Sequence, residues 1–394
     1  MSPLVIVFIS VFIDLLGFGI VLPLMPYYAL RFDADAFWVG ALLAVYSLMQ
    51  LFFSPLWGRL SDRIGRRPVL ITSLFGSAIG LILFGMASSL AGLFLARMFS
   101  GMATATISVA QAYIADCTPP DKRARGMGLI GAAFGLGFIF GPALGGLLAG
   151  YGASVPAYVA AAIAGINGLL AIFFLPETLP PEKRGLSPER GFSIKRLGQA
   201  ARVPGMSRLM LVYFLSIFGF ATMEATFPLL TLGLFNFNEQ QNGFVFAYLG
   251  VLVALLQGGL IGRLVARFGE PRLVVVGAGL MTVAFIALPV VPSIGFLLLA
   301  LIPLAVGNGV CNPCLTALIS RRSDAIAQGE TLGVAQSMAS LGRITGPLWG
   351  GFCFARFGAI TTYWLAAVVL AILTVLALAL RQSAAVTDTV PDVV

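Results

Sequence analysis

The sequence predicts an all-α membrane protein with twelve transmembrane helices in two six-helix halves. Three observations support this prediction: the composition, the number of long apolar runs, and a motif that occurs twice. The chain has 394 residues, of which 59% are hydrophobic and 10% are charged, and its mean hydropathy is +0.98. A soluble domain carries about 25% charged residues. Twelve spans of roughly 20 to 25 residues, together with short loops, would use nearly the whole chain, so we expect no soluble catalytic domain.

The apolar runs set the predicted order of the helices. They lie at 4–30, 38–58, 69–89, 91–116, 125–150, 155–176, 207–234, 241–262, 273–292, 294–319, 330–354 and 360–380. The first run has no basic segment before it and is long enough to span, so we expect a retained helix. The predicted domains are an N-terminal bundle (1–176), a cytoplasmic linker loop (177–206), a C-terminal bundle (207–381) and a cytoplasmic tail (382–394).

The basic residues predict the orientation. The net charge is +8, and the Lys and Arg residues lie mainly in alternate short loops, whereas the other loops hold only Arg31 and Arg356. Cytoplasmic loops accumulate basic residues, so both termini are predicted to be cytoplasmic. This distribution favours a lipid bilayer over nucleic acid as the partner. We expect a monomeric multi-pass protein of a bacterial inner membrane.

The repeat predicts the two halves. A pattern of small residues is followed later in the chain by the same spacing from Gly333 to Gly351, and Gly58-Arg59-Leu60 is matched by Gly262-Arg263-Leu264. The members of the first copy are Gly128, Gly137, Gly141, Pro142, Gly145 and Gly146. Parallel six-helix repeats with a substrate site near the midplane characterise one large transporter architecture.

Four charged residues fall inside apolar runs: Asp14, Arg97, Glu224 and Arg343. A charge at the bilayer centre costs about 2.5–3.5 kcal/mol on insertion scales, so each needs a partner, water or a function. The chain contains no His, so any proton chemistry depends on carboxylates. We predict Asp14 or Glu224 as the protonation site, assisted by the two arginines. The alternatives are a structural hydrogen bond for Asp14 and a static Glu224–Arg343 pair.

The segment after the second run reads Gly58-Arg-Leu-Ser-Asp62-Arg63-Ile-Gly65-Arg66-Arg67. It resembles the signature loop of the major facilitator superfamily, GxLxDRxGRRxxL. The repeated glycine pattern resembles the antiporter motif of that superfamily, and Asp14 resembles the first-helix acid of its tetracycline-efflux branch, among the drug:proton antiporters. The resemblance implies alternating access around a cavity lined by helices 1, 4, 7 and 10.

The same resemblance implies a conformational latch at the cytoplasmic side, whereas the alternative is a basic loop that only sets topology. The predicted latch residues are Gly58, Asp62, Arg63, Gly65, Arg66, Arg67 and Asp116. We expect Asp62 in a tight turn, with Asp116 sharing Arg63 or Arg66. Ala266 stands at the equivalent of Asp62, so the second latch is predicted to be degenerate.

The resemblance implies proton-coupled export of a drug-like compound. A facilitator or symporter for a sugar, organic acid or lipid is the alternative on the same fold. Gly80 and Met281 replace acids that the tetracycline exporters carry, so a neutral or singly cationic amphipathic compound is the favoured substrate. We predict neither enzymatic activity nor a cofactor or metal, and we interpret Cys311 and Cys314 as packing residues. The weaker cavity candidates are Tyr27, Gln50, Gln111, Tyr113, Phe220, Phe227, Gln257, Asn308, Asn312 and Gln336.

Overall fold

The structure is a computed structural model that describes residues 3–118, 123–185, 205–322 and 328–387. Across these ranges the chain is helical, with short turns and no strand. Within the described ranges, eleven helices are long and apolar enough to cross a membrane. The last of them contains Gly358 at φ 78° and ψ 177°, which divides it into two helices. The predicted all-α membrane fold is confirmed, and this division accounts for the twelve predicted crossings.

The first six helices are α1 (Leu4–Leu30), α2 (Ala36–Ile64), α3 (Arg66–Met86), α4 (Leu90–Cys117), α5 (Gly128–Ala149) and α6 (Val155–Phe174). The next four are α7 (Met206–Phe235), α8 (Glu239–Phe268), α9 (Glu270–Val290) and α10 (Ile294–Arg321). The helix Gly333–Ala379 supplies α11 before Gly358 and α12 after it.

The signature segment is more helical than the sequence predicted. Helix α2 continues to Ile64, so Asp62 lies in its last turn and not in a tight turn. The chain reverses at Gly65, where φ is 112° and ψ is 159°, a conformation that glycine adopts without a Cβ clash. Helix α3 begins at the next residue. The charged side chains at this corner are therefore held on two rigid helix ends.

Helix α4 is interrupted within its span. One segment ends at Ala103, the next begins at Thr106, and Thr104 has the extended values φ −88° and ψ 110°. Side chains satisfy backbone groups at the break: Trp57 Nε1 donates to the Met102 carbonyl at 2.6 Å. Broken backbone at membrane depth is tolerated where protein groups complete its hydrogen bonds. The break places backbone groups that lack partners within α4 beside the polar side chains of α3.

The described chain divides into two compact units. Unit 1 comprises Met1–Phe192 with Thr231–Gly250, and unit 2 comprises Ser193–Leu230 with Val251–Val394. The end of α7 and the first part of α8, as far as Gly250, thus cluster with unit 1, a division that the predicted domain boundaries did not include. Of the predicted linker and tail, residues 186–204 and 388–394 lie outside the described residues.

Candidate transport site

Asp14 lies on α1 at the end of a chain of hydroxyl groups. Ser77 Oγ donates a hydrogen bond to Asp14 Oδ1 at 2.6 Å, and its oxygen is 3.2 Å from Thr104 Oγ1. A serine has one hydroxyl proton. Because Ser77 uses that proton for Asp14, Thr104 must be the donor in the second bond. This first chain therefore runs from the break in α4, through α3, to the carboxylate on α1.

A second chain reaches the same carboxylate from the other side of the break. The Ala105 backbone N–H donates to Ser73 Oγ at 2.7 Å, and Ser73 Oγ is 3.0 Å from Thr106 Oγ1. Thr106 in turn hydrogen-bonds Asp14. Every donor in both chains points toward the carboxylate. A proton on the oxygen that accepts from a hydroxyl would displace or reverse one of these bonds. A role of Asp14 in proton coupling stays a prediction.

Arg97, also on α4, has aromatic neighbours and no ionic partner within the described ranges. Its guanidinium carbon lies 4.3 Å from the ring centroid of Tyr46 and 5.9 Å from that of Phe18. The side chain is only 4% exposed. We expected a partner, water or a function for this embedded charge, and the two rings were missed. The available signal was Phe18, which is one helical turn beyond Asp14 on α1.

Glu224 and Arg343 lie together in unit 2. Both side chains are partly buried, and the charge of Arg343 acts electrostatically on Glu224. Arg343 Nη2 also donates to Ser340 Oγ at 3.4 Å. A carboxylate partner for Arg343 stays a prediction. Whether Glu224 exchanges protons stays a prediction.

Three of the predicted latch residues, Asp62, Arg66 and Asp116, form a charge cluster at the corner between α2 and α3, whereas Arg63 is exposed. Arg66 is 1% exposed. Its Nη1 is 2.5 Å from Asp62 Oδ1, and its Nε is 2.9 Å from Asp116 Oδ2 at the end of α4. Nη1 also donates to Ser61 Oγ at 2.7 Å. Arg66, rather than Arg63, is the arginine that Asp116 shares, and it ties three helix ends together.

Glu177, which was not among the residues predicted from the sequence, completes this corner. Its Oε1 accepts from the Arg66 backbone N–H at 2.9 Å, and its Oε2 accepts from the Arg67 N–H at 3.2 Å. The first N–H groups of a helix lack intrahelical partners, and a carboxylate there is favoured by the helix dipole. Glu177 therefore caps α3 from beyond the end of α6. Its position directly after Pro176 was the only sequence signal.

The second half keeps a related ion pair with the charges exchanged. Gly269 directly precedes α9 as Gly65 directly precedes α3, with φ 75° and ψ 151°. Glu270, at the position equivalent to Arg66, pairs with Arg321 at the end of α10 at 2.9 Å. Ala266 removes the equivalent of Asp62, as predicted, but the link between helix ends persists. The second corner is therefore simplified and reversed in charge.

The small-residue motif brings α5 against α1 at backbone distance. A Cβ built on Gly137 would lie 2.8 Å from Leu15 Cβ, and one on Gly141 would lie 2.7 Å from the backbone of Gly19. The second copy does the same on α7, where a Cβ on Gly346 would lie 2.5 Å from the Phe218 carbonyl. The two motifs thus pack against the helices that carry Asp14 and Glu224.

The aromatic residues predicted to line the cavity differ in how deeply they are buried. Tyr27 is buried, and its hydroxyl donates to the Phe237 carbonyl at 2.8 Å. Tyr113 is fully buried and donates to the Pro176 carbonyl at 2.8 Å. Phe227 is also buried, while Phe220 is partly exposed. In this conformation, Tyr27 and Tyr113 connect segments within unit 1.

The polar residues predicted to line the cavity also differ in their hydrogen bonds and in their exposure. Gln50 donates to the Tyr46 hydroxyl at 3.0 Å, and Gln257 donates to the Gly309 carbonyl at 3.2 Å. Asn312 Oδ1 accepts from Tyr213 at 3.4 Å. The remaining candidates are exposed or partly exposed: Gln111, Asn308 and Gln336. Gln50 is therefore the candidate connected to the surroundings of Arg97.

Two helical repeats, embedded carboxylates and closely packed glycine motifs define a polytopic membrane transporter. The sequence model of the Major Facilitator Superfamily matches residues 7–347 and 258–392. The chain belongs to this superfamily.

The relatives extend the comparison. The class C tetracycline resistance protein of Escherichia coli is 34% identical over 351 residues, covering 88% of each chain. Multidrug resistance protein 2 of Bacillus subtilis is 30% identical over 357 residues, covering 89% of this chain and 88% of that protein. The crystal structure of the human organic anion transporter MFSD10 has a TM-score of 0.74 at 27% identity, covering 96% of this chain and 100% of that one. The predicted resemblance to the superfamily and its tetracycline-resistance relatives is confirmed.

Proposed function

We propose that this protein exports a drug-like, amphipathic small molecule in exchange for protons by alternating access. The proposal rests on the position and the hydrogen bonds of Asp14. It is an acid on a membrane-spanning helix, and two hydroxyl chains connect it to a break in α4. A proton arriving at Asp14 would disturb that break, which gives proton binding a direct route to a helix rearrangement.

Glu224 is the second proposed proton carrier. It has a neighbouring arginine, so movement that changes its distance from Arg343 would change its affinity for a proton. Release and uptake on opposite sides of the membrane need such a change between two conformations. The relatives named for tetracycline and multidrug resistance support export of a drug-like compound. We place the protein as a monomer in a bacterial inner membrane, with no nucleic-acid partner and no enzymatic activity.

Tetracycline itself is a less suitable substrate, because Gly80 and Met281 stand where the tetracycline exporters carry further acids. A Cβ on Gly80 would meet the side chain of Ser100, so α3 and α4 leave no space there. Met281 is fully buried against Gly307. These two positions are filled by packing contacts, which favours a compound without chelated metal.

Everted membrane vesicles with an acidic lumen test the proposal. Uptake of the cationic methyl ester of rhodamine should require the pH gradient in the wild type. Asp14→Asn and Glu224→Gln should each reduce the response to the gradient, while Glu239→Gln, at an exposed ion pair with Arg31, should not. Uptake that ignores the gradient would instead support a facilitator. Uptake driven by a gradient of the opposite sign would support a symporter.

A further inference from the structure

We propose that Arg97 is the recognition site for the carboxylate of an aromatic organic anion. The inference rests on the proposed function only in that the chain transports a small molecule. It departs from the expectation of a neutral or cationic substrate. The starting observation is a nearly buried guanidinium that the described chain does not neutralise.

The unsatisfied atoms have the geometry that a carboxylate needs. In the described part of the protein, Arg97 Nε and Nη2 are buried and have no hydrogen-bond partner. These nitrogens share one edge of the planar guanidinium, from which two parallel N–H groups can bind both oxygens of one carboxylate. Buried polar groups in native proteins are nearly always hydrogen-bonded. An unpaired pair of donors on a single edge therefore indicates a bidentate ligand.

Within the described residues, Arg97 forms no ion pair with Asp14, the acid on α1. Asp14 accepts hydrogen bonds from Ser77 and Thr106. On α1 it is one turn before Phe18, and on α4 Thr104 is two turns after Arg97, so the carboxylate site and the arginine lie at different depths. The charge of Arg97 is thus left for a group that comes from outside the chain.

The surroundings of Arg97 favour an aromatic body on that ligand. Phe18 and Tyr46 cover the guanidinium, and Phe138 lies 6.2 Å from Phe18, ring centroid to centroid. All three aromatic residues are partly exposed, unlike Arg97 itself. Gln50 donates to the Tyr46 hydroxyl. A ligand that displaces one of these aromatic side chains would place its own ring in that position. Its carboxylate would then bind the edge of the Arg97 guanidinium that carries Nε and Nη2.

Two dyes with a common xanthene ring system test the proposal by fluorescence polarisation on purified protein. Fluorescein is an anion with a carboxylate, and the methyl ester of rhodamine is a cation. Wild type should bind fluorescein, and Arg97→Gln should weaken that binding about ten- to hundredfold, as for loss of a charged hydrogen-bonded pair. Arg97→Lys keeps the charge but not the planar fork, and its affinity should be intermediate. Arg31→Gln, at an exposed paired arginine, should leave the affinity unchanged.

If Arg97 has only a structural role, the two Arg97 variants should lose affinity for both dyes to the same extent. That result would overturn the proposal. Absence of fluorescein binding to wild type would also overturn it. If Arg97→Gln does not fold, the ratio of the two affinities in Arg97→Lys decides, and an unchanged ratio refutes the proposal. Polarisation needs no pH gradient. Gradient-driven uptake of the rhodamine ester without fluorescein binding would therefore reject the anion site and retain proton-coupled export.

Discussion

The two corner ion pairs differ in burial, and this difference predicts very different costs when each arginine is replaced. The Arg66 side chain is 2% exposed and its partner Asp62 is 7% exposed, whereas Arg321 is 70% exposed beside Glu270 at 9%. Removing one partner of a buried pair costs about 3–5 kcal/mol, because the other charge stays buried. Glu270 is also buried, but it lies in the first turn of α9, where the helix dipole favours a carboxylate. Because its partner Arg321 is largely exposed, this pair should contribute only about 0–1 kcal/mol. Arg66→Gln should therefore destabilise the protein far more than Arg321→Gln.

Thermal unfolding of the two purified variants in one detergent measures this difference. A loss of 3 kcal/mol corresponds to a fall in the melting temperature of roughly 6–12 °C for a unit of about 200 residues. Arg321→Gln should lower it by at most about 4 °C, on the same scale. Equal falls for the two variants would refute the link between burial and cost. An unchanged melting temperature for Arg66→Gln would refute its role as the tie between three helix ends.

Three further predictions follow from individual contacts. Glu177→Ala removes the cap of α3 and should cost about 1–2 kcal/mol; an unchanged melting temperature would show that water replaces the carboxylate. Gly141→Leu should abolish folding or transport, because the new side chain would meet the backbone of α1. Gly128→Leu should be tolerated, because nothing lies within 4 Å of a Cβ at that position. Similar behaviour of these two variants would contradict the packing argument. Ser77→Ala should reduce the uptake produced by a given pH gradient, whereas Thr72→Ala, whose hydroxyl bonds only within α3, should not; unchanged coupling in Ser77→Ala would disconnect the hydroxyl chain from transport.

The sequence predicted the helices well because long apolar runs are a local property. The second run ended too early at residue 58, since the charged motif is polar but still helical as far as Ile64. The break in α4 was missed because Thr104 and Ala105 are ordinary membrane-helix residues. Only the contacts with Ser73 and Trp57 reveal why the backbone opens there.

The candidate site was predicted less completely because charge partners depend on tertiary packing. The embedded charges were found from their cost in the membrane, but the sequence did not indicate that Arg97 faces Tyr46. Glu177 lies more than 100 residues from the helix that it caps. The exchange of charges between Arg66–Asp116 and Glu270–Arg321 becomes visible only when both pairs are seen at equivalent corners.

Proton flux in proteoliposomes tests the central claim most directly. Vesicles are loaded with the rhodamine ester and with pyranine as a pH indicator, then diluted into dye-free buffer of the same pH. As the ester leaves, protons should enter and acidify the lumen with wild type. With the Asp14→Asn, Glu224→Gln double variant this acidification should be lost. Release of the ester by wild type without any change in luminal pH would contradict proton exchange.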